Sequence, residues 1–412
     1  MTPVAASKGR RPVIGKAALM PAYFAGLQSA LAKKHLAEPV LVLDKQRLDR
    51  NITRLRDRLP RDMAYRIVAK SLPCVPLLQH IAKRAKTDRL MSFNVTMAGQ
   101  LLAAMPQADQ LMGKPVPTTA IAGLFNTLKP AAAKRAAQQI QWLADTPERV
   151  RELGALAHRL QVNLRLALEI DVGLHRGGMM AGTALDNALV TIAAHPRLTL
   201  SGLMGYEPHL TKLPKIGTWR KRARQGALSL FADAMAQIAA QFGEAAVKDM
   251  IRNMAGSPTF KLYGDTDHAN ELAAGSVLVK PSDFDMPLLK DFEPAGFIAT
   301  PVLKQSKGVL APAAEFSGGL LGAPRRGTTL FIHGGNWMAK PVFPRGLEHS
   351  PLFGRSSNQD MLTGSVALKI AIDDFVFLRP TQSETVFLQF PKIAIFDGKR
   401  ISDLWHPLPV SA

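Results

Sequence analysis

From residue 40 the chain alternates short apolar, β-branched runs with longer segments carrying apolar residues at helical spacing, and this alternation constrains its fold more than any other feature. The expected strands are Val40 to Asp44, Arg66 to Lys70, Arg89 to Phe93, Thr119 to Leu124, Gln141 to Asp145, Leu164 to Asp171, Leu200 to Tyr206 and Met250 to Met254. Between them, Asp49 to Leu59, Pro76 to Arg84, Ala131 to Gln139, Pro147 to Leu160 and Arg222 to Phe242 read as helices. Eight such units imply a parallel (β/α)8 barrel. A doubly wound sheet, the main rival, usually ends its pattern after fewer strands.

After about residue 290 the style changes to strand-like runs at Thr328 to His333, Val366 to Leu378, Thr385 to Phe390 and Lys392 to Phe396, separated by Gly, Pro and Ser clusters. The expected fold class is therefore α/β, a (β/α)8 barrel followed by a C-terminal all-β domain. The expected boundaries are an N-terminal lead over 1–37, a barrel over 38–290 and a β domain over 291–412 that can receive the N-terminal part.

Hydrophobic residues make up 47% of the 412 and charged residues 20%, the balance of a globular chain with a large core. The one cysteine, Cys74, excludes an internal disulfide and a multi-thiolate zinc cluster. Lys and Arg number 52 against 32 Asp and Glu, a net charge of +20. The basic residues are scattered in short groups without a nucleic-acid motif, which favours a solvated basic surface over a specific nucleic-acid partner. Lys8-Gly9-Arg10-Arg11 before an apolar stretch has the outline of a twin-arginine export signal, which would make the protein periplasmic. Pro21, Gln28 and Ser29 interrupt that stretch, and Tyr23, Phe24, Leu27, Leu31 and Leu36 read better as an amphipathic helix, so the expected compartment is the cytoplasm. A spanning helix is not expected, since no run of about 18 uninterrupted apolar residues exists.

In a parallel barrel the reactive groups belong where strands end, because the strand-to-helix loops converge on one open face. Lys70 ends the run Ile67-Val68-Ala69, where partial desolvation would make its amine nucleophilic. Arg176 lies in the glycine-rich loop Asp171 to Gly178, whose small neighbours admit a planar anionic ligand. Tyr206 closes another run, before Glu207-Pro208-His209. Gly256-Ser257-Pro258-Thr259 and Gly275-Ser276 offer hydroxyls and close backbone approach late in the barrel, where phosphate groups are commonly held. His175, His209 and His268 have no metal-ligand spacing and read as structural.

Val68-Ala69-Lys70, Asp171 to Gly178, Gly202 to Tyr206 and Gly256 to Thr259, in this order, resemble the fold-type III pyridoxal phosphate enzymes. The resemblance is closest to the branch of D-threonine aldolase, D-serine dehydratase and hydroxyaspartate aldolase, and it continues through Glu271 to Ser276, Gly334-Gly335-Asn336 and Asp374 to Glu384. It implies an alanine-racemase-like barrel with pyridoxal 5′-phosphate as an aldimine on Lys70 and Arg176 near the cofactor's phenolic oxygen. Tyr206 would lie beside the ring, while Gly256, Ser257, Thr259, Gly275 and Ser276 would hold the phosphate. By the same analogy the chain forms a homodimer and acts on a small amino acid.

Two departures bear on the substrate. Dehydratases and aldolases of this branch carry a C-terminal His-x-Cys or His-x-Asp pair that binds a divalent metal, and the matching stretch here is Gln382-Ser383-Glu384. A neutral amide replaces imidazole poorly on zinc, whereas Glu384 could offer oxygen to a harder ion. Arg355 to Gln359 stands where relatives carry an acidic residue and a His, so Gln359 and Gln382 become candidate substrate contacts and Glu384 a candidate catalytic group. The expected function is a pyridoxal phosphate-dependent lyase, aldolase or dehydratase, acting on a D-3-hydroxy amino acid. An amino-acid racemase is the runner-up, and a pyridoxal phosphate carrier or regulatory protein the non-enzyme alternative.

Overall fold

The computed structural model describes residues 21–214, 217–264, 268–309, 325–350, 354–364 and 368–409. The twin-arginine outline lies outside them. Among the described residues no helix is long and apolar enough to cross a membrane.

The chain divides into two compact units. Of the described residues, the barrel unit takes 49–278, then returns for 383–393 and 405–409. The other, a β unit, comprises 21–48, 279–382 and 394–404 of the described residues.

The first strand, β1 (Val40–Asp44), belongs to the β unit and runs antiparallel to β10 (Gly296–Val309), with Val40 opposite Ala299. It was expected in the barrel. Its five residues are all buried, and the apolar run Val40 to Leu43 suits the middle of either kind of sheet, so the run itself does not say which.

Eight strands close into a parallel barrel in chain order: β2 (Ala64–Val68), β3 (Arg89–Ser92), β4 (Asp109–Met112), β5 (Ile140–Ala144), β6 (Leu164–Ile170), β7 (Leu198–Gly205), β8 (Ile251–Met254) and β9 (Glu271–Ala274). Pairing of Ala64 with Glu271 through Ile67 with Ala274 closes the ring. The expected strand Thr119 to Leu124 is part of the helix Thr118–Thr127, which buries Ile121 and Phe125, four residues apart on one helical face. Its place in the ring is taken by β4, which opens on two polar residues, and that of β1 by β9, whose Glu-Leu-Ala-Ala composition favours a helix until burial on both faces decides otherwise. Asn94 and Thr146 cap the helices after β3 and β5, accepting from the backbone N–H of Met97 and Arg149.

A network of charges fills the end of the barrel where strands begin. The fully buried Arg66 guanidinium meets Glu271 at 2.5 and 2.9 Å and Asp109 at 2.7 Å. Arg89 and Asn253 also reach Glu271, while Arg165 and Gln141 reach Asp109. Every carboxylate oxygen in this foot has a donor.

The β unit is built on β10, β11 (Arg325–His333), β12 (Ala339–Phe343), β13 (Glu348–His349), β14 (Gln359–Gly364), β15 (Phe375–Pro380), β16 (Ile393–Phe396) and β17 (Ile401–Trp405), with β1 inserted between β10 and β16. The expected amphipathic helix is Pro21–Lys33, burying Phe24, Leu27 and Leu31 in a core with Phe297, Phe377 and Phe396. Phe24 contacts Phe297 edge-on and stacks on Phe343, ring centres 5.4 and 5.0 Å away. Two of the expected C-terminal strands differ. Thr385 to Phe390 gives way to the helix Ser383–Phe387, which buries Val386 and Phe387, and within Val366 to Leu378 the strand starts only at Phe375. Residues 365–367 lie outside the described set.

Candidate active site

Because β2 through β9 run parallel, the loops that follow them share one mouth. Lys70 is there, two residues past the end of β2, in the single 3-10 turn Ala69–Ser71. Its Nζ lies 3.2 Å from Oε1 of Glu384, which the helix Ser383–Phe387 brings back to the barrel unit, and 4.5 Å from the centre of the Phe93 ring. The two side chains are 39% and 38% exposed, open enough for a ligand to reach both.

Glu384 is held from behind by hydroxyls. Ser71 donates to Glu384 Oε1 at 3.3 Å, Ser276 donates to Ser71 at 2.9 Å, and Ser383 donates to Ser276 at 3.4 Å. A chain of donors pointing one way polarises each successive O–H toward the carboxylate.

On the other side, the Arg176 guanidinium lies 5.2 Å from the centre of the Tyr206 ring, a cation–π distance. Burial first, then the nearby charges of Glu207 and Glu384, hold the Tyr206 phenol above its usual range, against the pull of Arg176. Behind Arg176 stands Glu169, whose carboxyl is raised by burial and by Asp145 and Asp171, with Arg176 opposing. Burial also opposes ionisation of Asp171, but bonds from the N–H groups of Gly173 and His175 and from the His175 ring hold its carboxyl low. Burial and the charge of His175 lower His209. Among the described residues no group of three or more His, Cys, Asp or Glu side chains could hold a metal ion.

The loops after β8 and β9 make a cradle. At Gly256 a Cβ would come within 2.6 Å of the Tyr206 ring, and at Gly275 within 2.6 Å of the Val68 carbonyl oxygen, so only glycine permits the approach at either place. The Ser257 hydroxyl accepts from the N–H groups of Gly275 at 3.1 Å and Val277 at 3.2 Å. A hydroxyl has two lone pairs and one hydrogen, so these bonds leave Ser257 its hydrogen to donate. The N–H of Ser276 opens the turn Ser276–Leu278 and is not used within it. Such a donor set fits a phosphate group.

Thr259 is engaged differently from its expected part. Fully buried, its hydroxyl donates to Glu207 at 2.7 Å and accepts from the N–H of Gly256 at 3.1 Å. Glu207 itself escaped the sequence reading, as did Ser71, Phe93 and Ser383. The one available signal for Glu207 was an acidic residue two positions past the apolar run Gly202 to Gly205.

The structure thus gathers Lys70, Glu384, Tyr206 and Arg176, with Gly256, Ser257, Gly275 and Ser276 forming the cradle. Gln359 and Gln382 belong to the β unit, Gln359 at the start of β14 accepting from Lys304 Nζ and Gln382 exposed between β15 and the helix that carries Glu384.

Comparison with known proteins agrees with this geometry. The family model described as alanine racemase, N-terminal domain, matches residues 43–283. No curated protein sequence matches the chain. Among solved structures, the chain is similar to D-threonine aldolase from Filomicrobium marinum, with 18% identity and a TM-score of 0.68 over 89% of this chain and 94% of that one. It is similar to D-threo-3-hydroxyaspartate dehydratase from Delftia sp. HT23, with 17% identity and a TM-score of 0.64 over 90% and 98%. An alanine racemase from Clostridium difficile 630 gives 13% identity and a TM-score of 0.66 over 89% and 98%. At these identities the structural likeness establishes the fold.

Proposed function

The chain belongs to the alanine racemase N-terminal domain family, and from that premise we propose that it is a pyridoxal 5′-phosphate-dependent lyase, an aldolase or dehydratase, acting on a D-3-hydroxy amino acid. When bound, the cofactor supplies an electron sink that weakens the bonds at an amino acid's α-carbon. Lys70 would hold it covalently through Nζ, and Arg176 and Tyr206 would bind beside its ring. The Ser257 hydroxyl and the backbone at Gly256, Gly275 and Ser276 would take its phosphate, with Thr259 bracing that loop.

The observation that carries the reading is the approach of Glu384 to Lys70 at 3.2 Å. Cleavage between the α- and β-carbons needs a group that takes the proton of the β-hydroxyl, and loss of water needs one that protonates it as it leaves. A half-exposed carboxylate beside the lysine, held at one oxygen by Ser71, is suited to both tasks. The solved relatives named for D-threonine and D-threo-3-hydroxyaspartate support this substrate class. A homodimer, the arrangement implied by the family resemblance, completes the reading.

A second reading, an amino-acid racemase, is favoured by Tyr206, a proton-bearing group that feels the charge of Glu384 and could serve as a partner to Lys70 without a metal. Incubating the purified protein with D and L serine, threonine, alanine and 3-hydroxyaspartate separates the two. Keto acid, or glycine with an aldehyde, from a D-3-hydroxy substrate supports the lyase; loss of optical activity alone supports the racemase.

A further inference from the structure

Glu207 is fully buried, and three donors from one loop converge on its carboxylate. The Ala255 N–H reaches Oε2 at 3.2 Å, the Thr259 hydroxyl reaches Oε1 at 2.7 Å, and the Tyr263 side chain supplies the third bond. Thr259 in turn accepts from the Gly256 N–H, and its own N–H bonds back to the Gly256 carbonyl at 3.0 Å. Ala255 is a non-glycine residue in the left-handed region, φ 65°, a conformation that something must hold. Directly before Glu207 in the chain, the Tyr206 ring packs so closely on Gly256 that a Cβ there would overlap it. Tyr206 and Glu207, neighbours in the chain, therefore both hold this loop.

Burying a carboxylate is expensive, and its desolvation raises the Glu207 carboxyl above its usual range despite the three bonds. A neutral side chain could fill the same space at lower cost. What a carboxylate adds is the capacity to accept from all three donors at once, which fixes the loop's shape and not merely its volume.

We propose that Glu207 is the positioning residue of the phosphate-holding loop: by binding Ala255, Thr259 and Tyr263 it keeps the corner at Gly256 and Ser257 in the form that receives the anion. The inference rests on the reading of this chain as a pyridoxal phosphate enzyme. It adds a role to a residue that touches neither the reacting atoms nor the phosphate.

The test compares two ligands that share a ring and differ in the phosphate, pyridoxal 5′-phosphate and pyridoxal, titrated into the full chain freed of cofactor and followed by absorbance. In Glu207→Gln the amide must present N–H to one of three donors, so affinity for pyridoxal phosphate is expected to fall by about tenfold or more while that for pyridoxal stays unchanged. Tyr263→Phe, which removes one bond and keeps the ring, is expected to give a smaller loss of the same selective kind, and it serves if Glu207→Gln fails to fold by circular dichroism. Equal losses for both ligands, or no loss for either, in proteins whose wild type binds pyridoxal phosphate would overturn the role of Glu207 alone. A wild type that binds pyridoxal phosphate no better than pyridoxal would overturn the phosphate-holding loop, and one that binds neither would overturn the cofactor reading as well.

Discussion

Lys70 Nζ and Glu384 Oε1 stand 3.2 Å apart, although Glu384 belongs to a short helix that rejoins the barrel unit after a long excursion of the chain through the β unit. The lysine lies in a turn fixed by β2, and the carboxylate is held by the hydroxyl of the lysine's own neighbour, Ser71. In the proposed function, cofactor attachment and proton transfer fall to adjacent atoms from distant parts of the sequence, which makes them separable by mutation.

Lys70→Ala should abolish attachment. The wild type is expected to be yellow when purified with pyridoxal phosphate and to be labelled at Lys70 by borohydride reduction. The variant should show neither, and a labelled peptide elsewhere in the chain would move the assignment.

Glu384→Gln keeps the size and the acceptor oxygen but cannot take a proton. Turnover of the best D-3-hydroxy substrate should fall by about a hundredfold or more, the usual range for loss of a general acid or base. Cofactor affinity, read from the visible band, should stay near that of the wild type. Parallel loss of both would reduce Glu384 to a structural part.

Ser257→Ala removes the one hydrogen that its hydroxyl has left to give. Affinity for pyridoxal phosphate should drop by roughly tenfold, the worth of one hydrogen bond to a charged group. The melting temperature of the cofactor-free protein should also fall, because the N–H groups of Gly275 and Val277 lose their acceptor. Equilibrium dialysis against pyridoxal phosphate gives the number.

Glu271→Gln strikes the foot of the barrel, where it leaves the buried Arg66 with Asp109 as its one carboxylate partner. Breaking such a pair on one side costs about 3–5 kcal/mol, so the urea midpoint of the cofactor-free protein should fall sharply. The same change in the half-exposed Glu384 should hardly move it.

Asp109 makes the foot sensitive to acid. Burial opposes its ionisation, but the charges and hydrogen bonds of Arg66 and Arg165 prevail and hold its carboxyl below the usual range. A depressed folded-state value means that the contribution is complete above the ordinary aspartate value of about 3.9 and is lost as pH falls through the lower folded one. Asp109→Asn should therefore be less stable at neutral pH yet lose less further stability below about pH 4, which urea melts across pH would reveal.

Much of this was legible from the chain, for reasons particular residues make clear. A parallel barrel puts every strand's C-terminal end at one mouth, so Lys70, Arg176, Tyr206 and the two glycine–serine pairs could be placed together without coordinates. The strands β4 and β9 were hidden because the polar residues Asp109, Gln110 and Glu271, the last two wholly buried, break the apolar signal that marks an inner strand. Val40 to Asp44 read correctly as a strand and wrongly as a barrel strand, since pairing partners leave no mark on a run of four apolar residues and an aspartate. Glu384 emerged only through the family resemblance. The hydroxyl chain from Ser383 through Ser276 to Ser71, and the clamp at Glu207, depend on contacts between remote segments for which single residues carry no periodic signature.

The charged foot has a consequence for how such a chain can change over generations. Arg66, Asp109 and Glu271, with Arg89, Gln141, Arg165 and Asn253, tie seven strands together at the end away from the loops that would meet a ligand. Cohesion and chemistry occupy opposite ends, so a replacement in the mouth is tried against a scaffold whose integrity does not depend on it. A lineage built this way can exchange side chains at the mouth, Glu384 among them, and remain folded.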